Sequence, residues 1–183
     1  MTCEDLTPEE MKALVRTIPD FPKPGILFRD ITTLIGHGGG FAASVALLAE
    51  RAGAAGAQAI AGLEARGFIF GAAVAAKLGV PFVPVRKPGK LPVPVLAIDY
   101  ALEYGTDTLE VDPDAIAEVQ KVVIVDDLIA TGGTACAALT LLRRAGGDVS
   151  EALFVIDLPD LGGAERLRAA GVNVRSIMDF PGH

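Results

Sequence analysis

Val122-Val-Ile-Val-Asp-Asp-Leu-Ile-Ala-Thr-Gly-Gly-Thr134 is the stretch from which the rest of this chain can be read. Four consecutive apolar, mostly β-branched residues, Val122 to Val125, predict a buried strand of a parallel sheet. Asp126 and Asp127 stand where that strand is expected to end. Thr131, Gly132, Gly133 and Thr134 form a short loop, and a helical pattern begins at Thr134. A loop of this kind at a helix N-terminus suits a phosphorylated ligand. Backbone N–H groups and the helix dipole hold phosphate there, and small residues let the backbone come close. Carboxylates repel phosphate, so the acidic pair must face another part of the ligand, such as sugar hydroxyls or a Mg²⁺ ion. The spacing is neither a Walker A loop nor G-x-G-x-x-G. An ordinary strand-turn-helix connection is disfavoured, because two adjacent acids at a strand terminus are poor core material.

Working outward, strand and helix patterns alternate. Ala59 to Leu63 predicts a strand and Gly67 to Leu78 an Ala-rich helix stopped by Gly79. Val80 to Val85 predicts a strand, and Lys121 to Val125, Val149 to Ile156 and Val172 to Ile177 predict three more. Helices are expected over Thr134 to Arg144 and Gly162 to Ala170. The alternation implies an α/β fold, a central mostly parallel sheet flanked by helices, with ligands beyond the carboxyl ends of the strands. Thr7-Pro8-Glu9-Glu10 is a capping-box helix start, with apolar periodicity from Met11 to Ile18. Pro19 is expected to end that helix. Gly36 to Gly40 reads as a flexible connector, and Phe41 to Gly53 as a helix. The broken pattern from Lys87 to Thr108 suggests a flap or hairpin, and Asp112-Pro113 a short helix. The whole is expected to be one domain over residues 1–183, with a small hood over roughly 1–35 and a flap over roughly 87–108.

A net charge of −7 argues against general binding to nucleic acid or anionic membranes. Only Cys3 and Cys136 are present, so neither a disulfide framework nor a cysteine metal site is implied, which fits a reducing cytoplasm. The N-terminal acids leave no signal-peptide pattern. The uncharged run from Ile31 to Ala49 is broken by glycines and polar residues and does not read as a membrane span. His37 reads as a surface loop residue and Cys136 as a small buried filler.

The stretch from Val122 to Thr134 resembles the PRPP-binding motif of the type I phosphoribosyltransferases. Further segments resemble the adenine-using members of that family. They are Phe21-Pro-Lys-Pro-Gly-Ile-Leu-Phe-Arg-Asp30, Glu64-Ala-Arg-Gly-Phe-Ile-Phe-Gly71, Val85-Arg-Lys-Pro-Gly-Lys-Leu-Pro92, Leu102-Glu-Tyr-Gly-Thr106 and Phe180-Pro-Gly-His183. The resemblance implies that PRPP and adenine give AMP and pyrophosphate with Mg²⁺ in a homodimer. It implies that Asp126 and Asp127 hold the ribose hydroxyls, with Mg²⁺ near them held through PRPP and water. Ala130, Thr131, Gly132, Gly133 and Thr134 would cradle the 5-phosphate. Arg66, Arg86 and Lys90 would lie near the pyrophosphate, with Lys87 reaching it from a neighbouring subunit, and a cis peptide is expected near Glu64-Ala65-Arg66.

The same resemblance makes Glu103 the acid/base partner of adenine N7, in a flap that excludes water, and has Tyr104 close over PRPP. Phe28 would stack on the purine while backbone groups at Leu27 and Arg29 read its edge; on its residues alone, Phe28 could equally be core packing. A 6-oxopurine enzyme or a non-catalytic PRPP-binding regulator are the alternatives. The flap segment Val93-Pro-Val-Leu-Ala-Ile-Asp99 is more apolar than in many relatives.

Overall fold

The computed structural model describes residues 6–101, 105–118 and 120–182. Its centre is a five-stranded sheet in the order β4-β3-β7-β8-β9. The strands are β3 (Ala59–Leu63), β4 (Phe82–Val85), β7 (Lys121–Ile129), β8 (Asp148–Asp157) and β9 (Asn173–Asp179). Every pairing among them is parallel. The strands carry near-continuous apolar runs because both faces are covered. On one face Ile60, Val123, Val125, Leu153 and Val155 pack with residues of α1 (Pro8–Ala13), α3 (Gly38–Ala54) and α4 (Gly67–Leu78). On the other, Ala59, Ala61, Ile124, Ala152 and Phe154 pack with α5 (Gly133–Arg144) and α6 (Gly163–Ala169).

The chain leaves β3 in one direction to β4, and returns on the other side of β3 as β7. The strand order therefore reverses between β3 and β7, and a crevice opens beyond their carboxyl ends. Glu64-Ala65-Arg66 follows β3 into this crevice, and Asp126 and Asp127 lie across from it on β7.

Two antiparallel pairs flank the sheet. β1 (Arg16–Pro19) pairs with β2 (Leu27–Asp30), and β5 (Leu96–Ala101) with β6 (Thr106–Val111). The second pair is not a free flap along its length. Leu109 and Val111 are fully buried, and Leu96, Ile98 and Tyr100 pack on the same cluster as α5. Leu102, Glu103 and Tyr104 lie outside the described residues.

The structure corrects several local expectations. The first helix stops at Ala13 and not near Pro19, because Arg16 to Pro19 extend to pair with β2. The expected connector from Gly36 to Gly40 is instead the C-cap of a short helix, α2 (Thr32–Ile35), at Gly36 and the N-cap and first turn of α3 from His37 on. His37 is the N-cap of α3 and not merely a loop residue: its Nδ1 accepts from the Gly40 N–H at 3.0 Å. β7 runs past the acidic pair to Ile129, since Asp126, Leu128 and Ile129 all keep partners on β8. Asp112-Pro113 opens only a single 3₁₀ turn, Pro113–Ala115.

Candidate active site

The loop from Ala130 to Thr134 begins where β7 ends. Gly132, in the left-handed region at φ +79°, turns the chain into α5. Gly163 seats the loop from behind, with its N–H donating to the Ala130 carbonyl at 3.0 Å. A Cβ at Gly163 would stand 2.3 Å from that carbonyl oxygen and 2.6 Å from the Gly132 nitrogen, so this approach admits only glycine. Gly163 was not among the expected site residues; its sequence signal is the Gly162-Gly163 pair ahead of α6.

A cavity of about 370 Å³ opens here, lined by Glu64 to Arg66 and by every residue from Asp126 to Ala135. Ala130, Thr131, Gly132, Gly133 and Thr134 thus come together with Asp126, Asp127 and Arg66, as expected. The α5 N-terminus aims its unpaired N–H groups and positive dipole end into the cavity.

The acidic pair forms the floor. The Asp127 N–H donates to Asp126 Oδ1 at 2.9 Å. Burial pushes the Asp126 carboxyl well above the usual carboxylate range, and the charge of Asp127 pushes the same way. Burial also raises Asp127, opposed by the Arg66 guanidinium, whose Nε lies 2.8 Å from Asp127 Oδ2. Gly67, at the start of α4, makes room for this floor: a Cβ there would stand 2.4 Å from Asp126 Oδ1. The Glu64–Ala65 peptide is cis, where the resemblance put one.

Arg86, Lys87 and Lys90 do not line the cavity. Glu64, which does, accepts from Arg86 Nε at 3.1 Å and from the Lys87 N–H at 2.9 Å. These contacts, the Lys87 N–H first, hold its carboxyl below the usual range. The Lys87 ammonium turns to Asp107 and to the Tyr100 hydroxyl, 3.2 Å away. Lys90 is exposed, and its carbonyl accepts from Arg86 Nη1 at 3.1 Å.

A second pocket of about 390 Å³ adjoins the first. Ile26, Leu27, Phe28 and Arg29 line one side, and Leu128, Leu158 and Leu161 are also in its wall. Arg66, Leu128, Ala130 and Thr131 border both cavities. Phe28 is half-buried, edge-on to Phe21 at 5.1 Å, so its ring belongs to the pocket and not to the core. The Arg29 side chain is committed elsewhere: it donates to Thr17 Oγ1 at 2.7 Å and to the Pro181 carbonyl at 2.9 Å. Leu128, Leu158 and Leu161 escaped the sequence reading because isolated leucines at strand ends carry no signature. Among the described residues no group of three or more His, Cys, Asp or Glu side chains could hold a metal. Cys136 is half-buried on α5, and burial raises its thiol.

The phosphoribosyl transferase domain family matches residues 40–167. The adenine phosphoribosyltransferase of Novosphingobium aromaticivorans is 70% identical over 178 residues, covering 97% of this chain and 100% of the relative. The crystal structure of adenine phosphoribosyltransferase from Thermoanaerobacter pseudethanolicus superposes with a TM-score of 0.89 at 49% identity, covering 95% of this chain and 100% of that one. The Saccharomyces cerevisiae enzyme, solved with an iminoaltritol bisphosphate and adenine, does so at 0.87 and 38% identity, covering 93% and 97%. With the five-stranded sheet and its crevice, these likenesses place the chain in the type I phosphoribosyltransferase family.

Proposed function

We propose that this protein transfers the phosphoribosyl group of PRPP to N9 of adenine, giving AMP and pyrophosphate. One observation carries the reading: a polar phosphate cavity with an acidic floor meets an apolar slot, and Arg66, Leu128, Ala130 and Thr131 border both. That is the layout a sugar phosphate joined to a flat base requires.

The N–H groups and hydroxyls from Ala130 to Thr134 hold the 5-phosphate. Asp126 and Asp127 accept from the ribose 2- and 3-hydroxyls, which fixes the C1 carbon in line between base and leaving group. Arg66, held at Asp127, offers its exposed N–H groups to the charge that develops on pyrophosphate. Arg86 and Lys90 add positive potential at the mouth. Phe28 and the leucines hold the purine, and backbone groups at Leu27 and Arg29 read its edge, where a 6-amino and a 6-oxo purine differ in donor and acceptor. Glu103 acts at N7 and Tyr104 covers the PRPP side.

We infer that Mg²⁺ reaches the site through PRPP oxygens and water near Asp126 and Asp127. When bound, that ion neutralises the pyrophosphate. We infer a cytoplasmic homodimer in which Lys87 serves the neighbouring subunit's pyrophosphate. No helix among the described residues is long and apolar enough to cross a membrane.

The test is turnover of adenine with PRPP, with and without Mg²⁺, in competition with hypoxanthine and guanine. Preference for a 6-oxopurine would reassign the base, and PRPP binding without pyrophosphate release would leave a regulator.

A further inference from the structure

The two walls of the apolar slot come from separate parts of the fold. Leu27 to Arg29 belong to β2, with Ile26 just ahead of it, and Leu158 and Leu161 belong to the turn after β8. Among the described residues no strand pairing joins the β1–β2 pair to the five-stranded sheet. The width of a slot for a flat ring must nevertheless be held to about half an ångström for its edge contacts to discriminate.

The segment Phe180-Pro181-Gly182 touches both walls. On the core side, the Phe180 N–H donates to the Asp157 carbonyl at 2.9 Å, and the Gly182 N–H donates to Asp160 Oδ2 at 2.7 Å. Asp160 lies between the slot residues Leu158 and Leu161. On the hood side, Arg29 Nη2 donates to the Pro181 carbonyl at 2.9 Å, and the same guanidinium lies 4.8 Å from the centre of the buried Phe180 ring. Arg29 also ties β1 to β2 through Thr17. A Cβ at Gly182 would lie only 3.6 Å from Leu27 Cδ1. The Lys12 ammonium, from α1, stands 4.9 Å from the other contacts' shared ring, Phe180.

We propose that Phe180 to Gly182 form a clasp that sets the spacing of the purine slot, with Asp160, Phe180 and the Arg29 side chain as positioning residues. None of them needs to touch the reacting atoms. The chain of contacts Thr17–Arg29–Pro181 and Gly182–Asp160 fixes β2, whose backbone reads the purine edge, relative to Leu158 and Leu161. The proposal deepens the functional reading above and rests on it. It concerns the base half of the site alone, so its signature is confined to the base.

The experiment compares the full-length enzyme with Asp160→Ala, Asp160→Asn and Phe180→Leu. Each is assayed for the KM of adenine, the KM of PRPP and the ratio of adenine to hypoxanthine turnover, with thermal melts alongside. Losing a solvent-exposed hydrogen bond of this kind corresponds to roughly threefold to tenfold, so Asp160→Ala is expected to raise the adenine KM by about that factor. The KM of PRPP should stay within about twofold, and adenine preference should fall. Asp160→Asn keeps an acceptor for the Gly182 N–H and should restore most of both. Phe180→Leu keeps apolar volume but removes the ring under Arg29, and should follow Asp160→Ala. Equal rises in both KM values, or lower melting with unchanged kinetics, would make the segment merely structural and overturn the clasp. Failure of the unaltered enzyme to use adenine would remove the functional reading, and the clasp with it.

Discussion

The Arg66 guanidinium lies 2.8 Å from the Asp127 carboxylate, with the Asp127 side chain 6% exposed and Arg66 45%. The pair is buried at one end and open at the other. Asp127 therefore gains a partner for a charge that burial disfavours, while Arg66 keeps donors free towards the cavity. A lysine cannot both occupy this contact and present a planar fork to a phosphate. Arg66→Lys is predicted to lower kcat/KM for PRPP by roughly tenfold to a hundredfold, as expected for a lost charge-assisted contact. Steady-state kinetics with adenine saturating checks this; a change within about twofold would separate Arg66 from pyrophosphate.

The acidic floor trades stability for binding. The folded Asp126 carboxyl binds a proton more tightly than the unfolded one, because burial and Asp127 disfavour its charge. The folded state therefore gains in acid relative to neutral pH, and that gain is lost as the pH rises through the raised folded value. Wherever that carboxyl is ionised, its buried charge is a burden on the ligand-free protein. Asp126→Asn should raise the melting temperature of the ligand-free protein at alkaline pH yet weaken PRPP by about tenfold or more, since one acceptor for the proposed ribose hydroxyl contact becomes a donor. The stabilisation should shrink as the pH falls and the wild-type carboxyl takes up its proton. Parallel melts and PRPP titrations of the two proteins decide it.

How legible all this was in the sequence differs from element to element. The bounds of β3 and α4 agree with the pattern because Gly79 and Pro81 punctuate it, and because a strand buried on both faces needs only apolar residues. That Ala130 to Thr134 gather on one cavity with Asp126 and Asp127 was legible in the sequence, since they share one local stretch of chain. The first helix was overextended because the partner that draws Arg16 to Pro19 into a strand, Leu27 to Asp30, is a tertiary choice. The glycines at 38–40 read as a connector, yet a helix N-terminus has no intrahelical donors to lose there. At Gly40 a Cβ would stand 2.7 Å from Leu14 Cδ1 and 2.9 Å from Leu34 Cδ1, so a larger residue would have to push both leucine ends aside. Leu158 and Leu161 carry no local signal, because only the tertiary placement of the turn after β8 facing Leu27 and Phe28 makes them a pocket wall.

Gly163 gives a sharper test of the loop. Its Cα supports the turn at Gly132, and the nearest atoms to an added Cβ are backbone, which cannot swing aside. Gly163→Ala is predicted to displace the phosphate loop, raise the KM of PRPP about tenfold or more, and destabilise the fold by roughly 1–3 kcal/mol, the usual range for overpacking. The adenine KM at saturating PRPP should change less. Equal PRPP kinetics in the two proteins would mean that the loop tolerates the methyl group.

Asp30 ties β1 to the start of α2 within the hood, through Arg16 and Thr32. Its Oδ1 accepts from the Thr32 hydroxyl at 2.6 Å and the Thr32 N–H at 3.0 Å, and its Oδ2 from Arg16 Nε at 3.1 Å. These contacts, the Thr32 hydroxyl first, lower its pKa to about 2. Because the folded value is depressed, the stabilisation is fully present above the unfolded value of about 4 and is lost as the pH falls towards 2. Asp30→Ala should therefore destabilise the protein at pH 7 by roughly 1–3 kcal/mol, the usual cost of stranding such donors. The gap between variant and wild type should narrow as the pH drops from 4 to about 2. Urea unfolding of both proteins across that interval measures it; a gap that stays constant would show that Asp30 acts through its shape and not its charge.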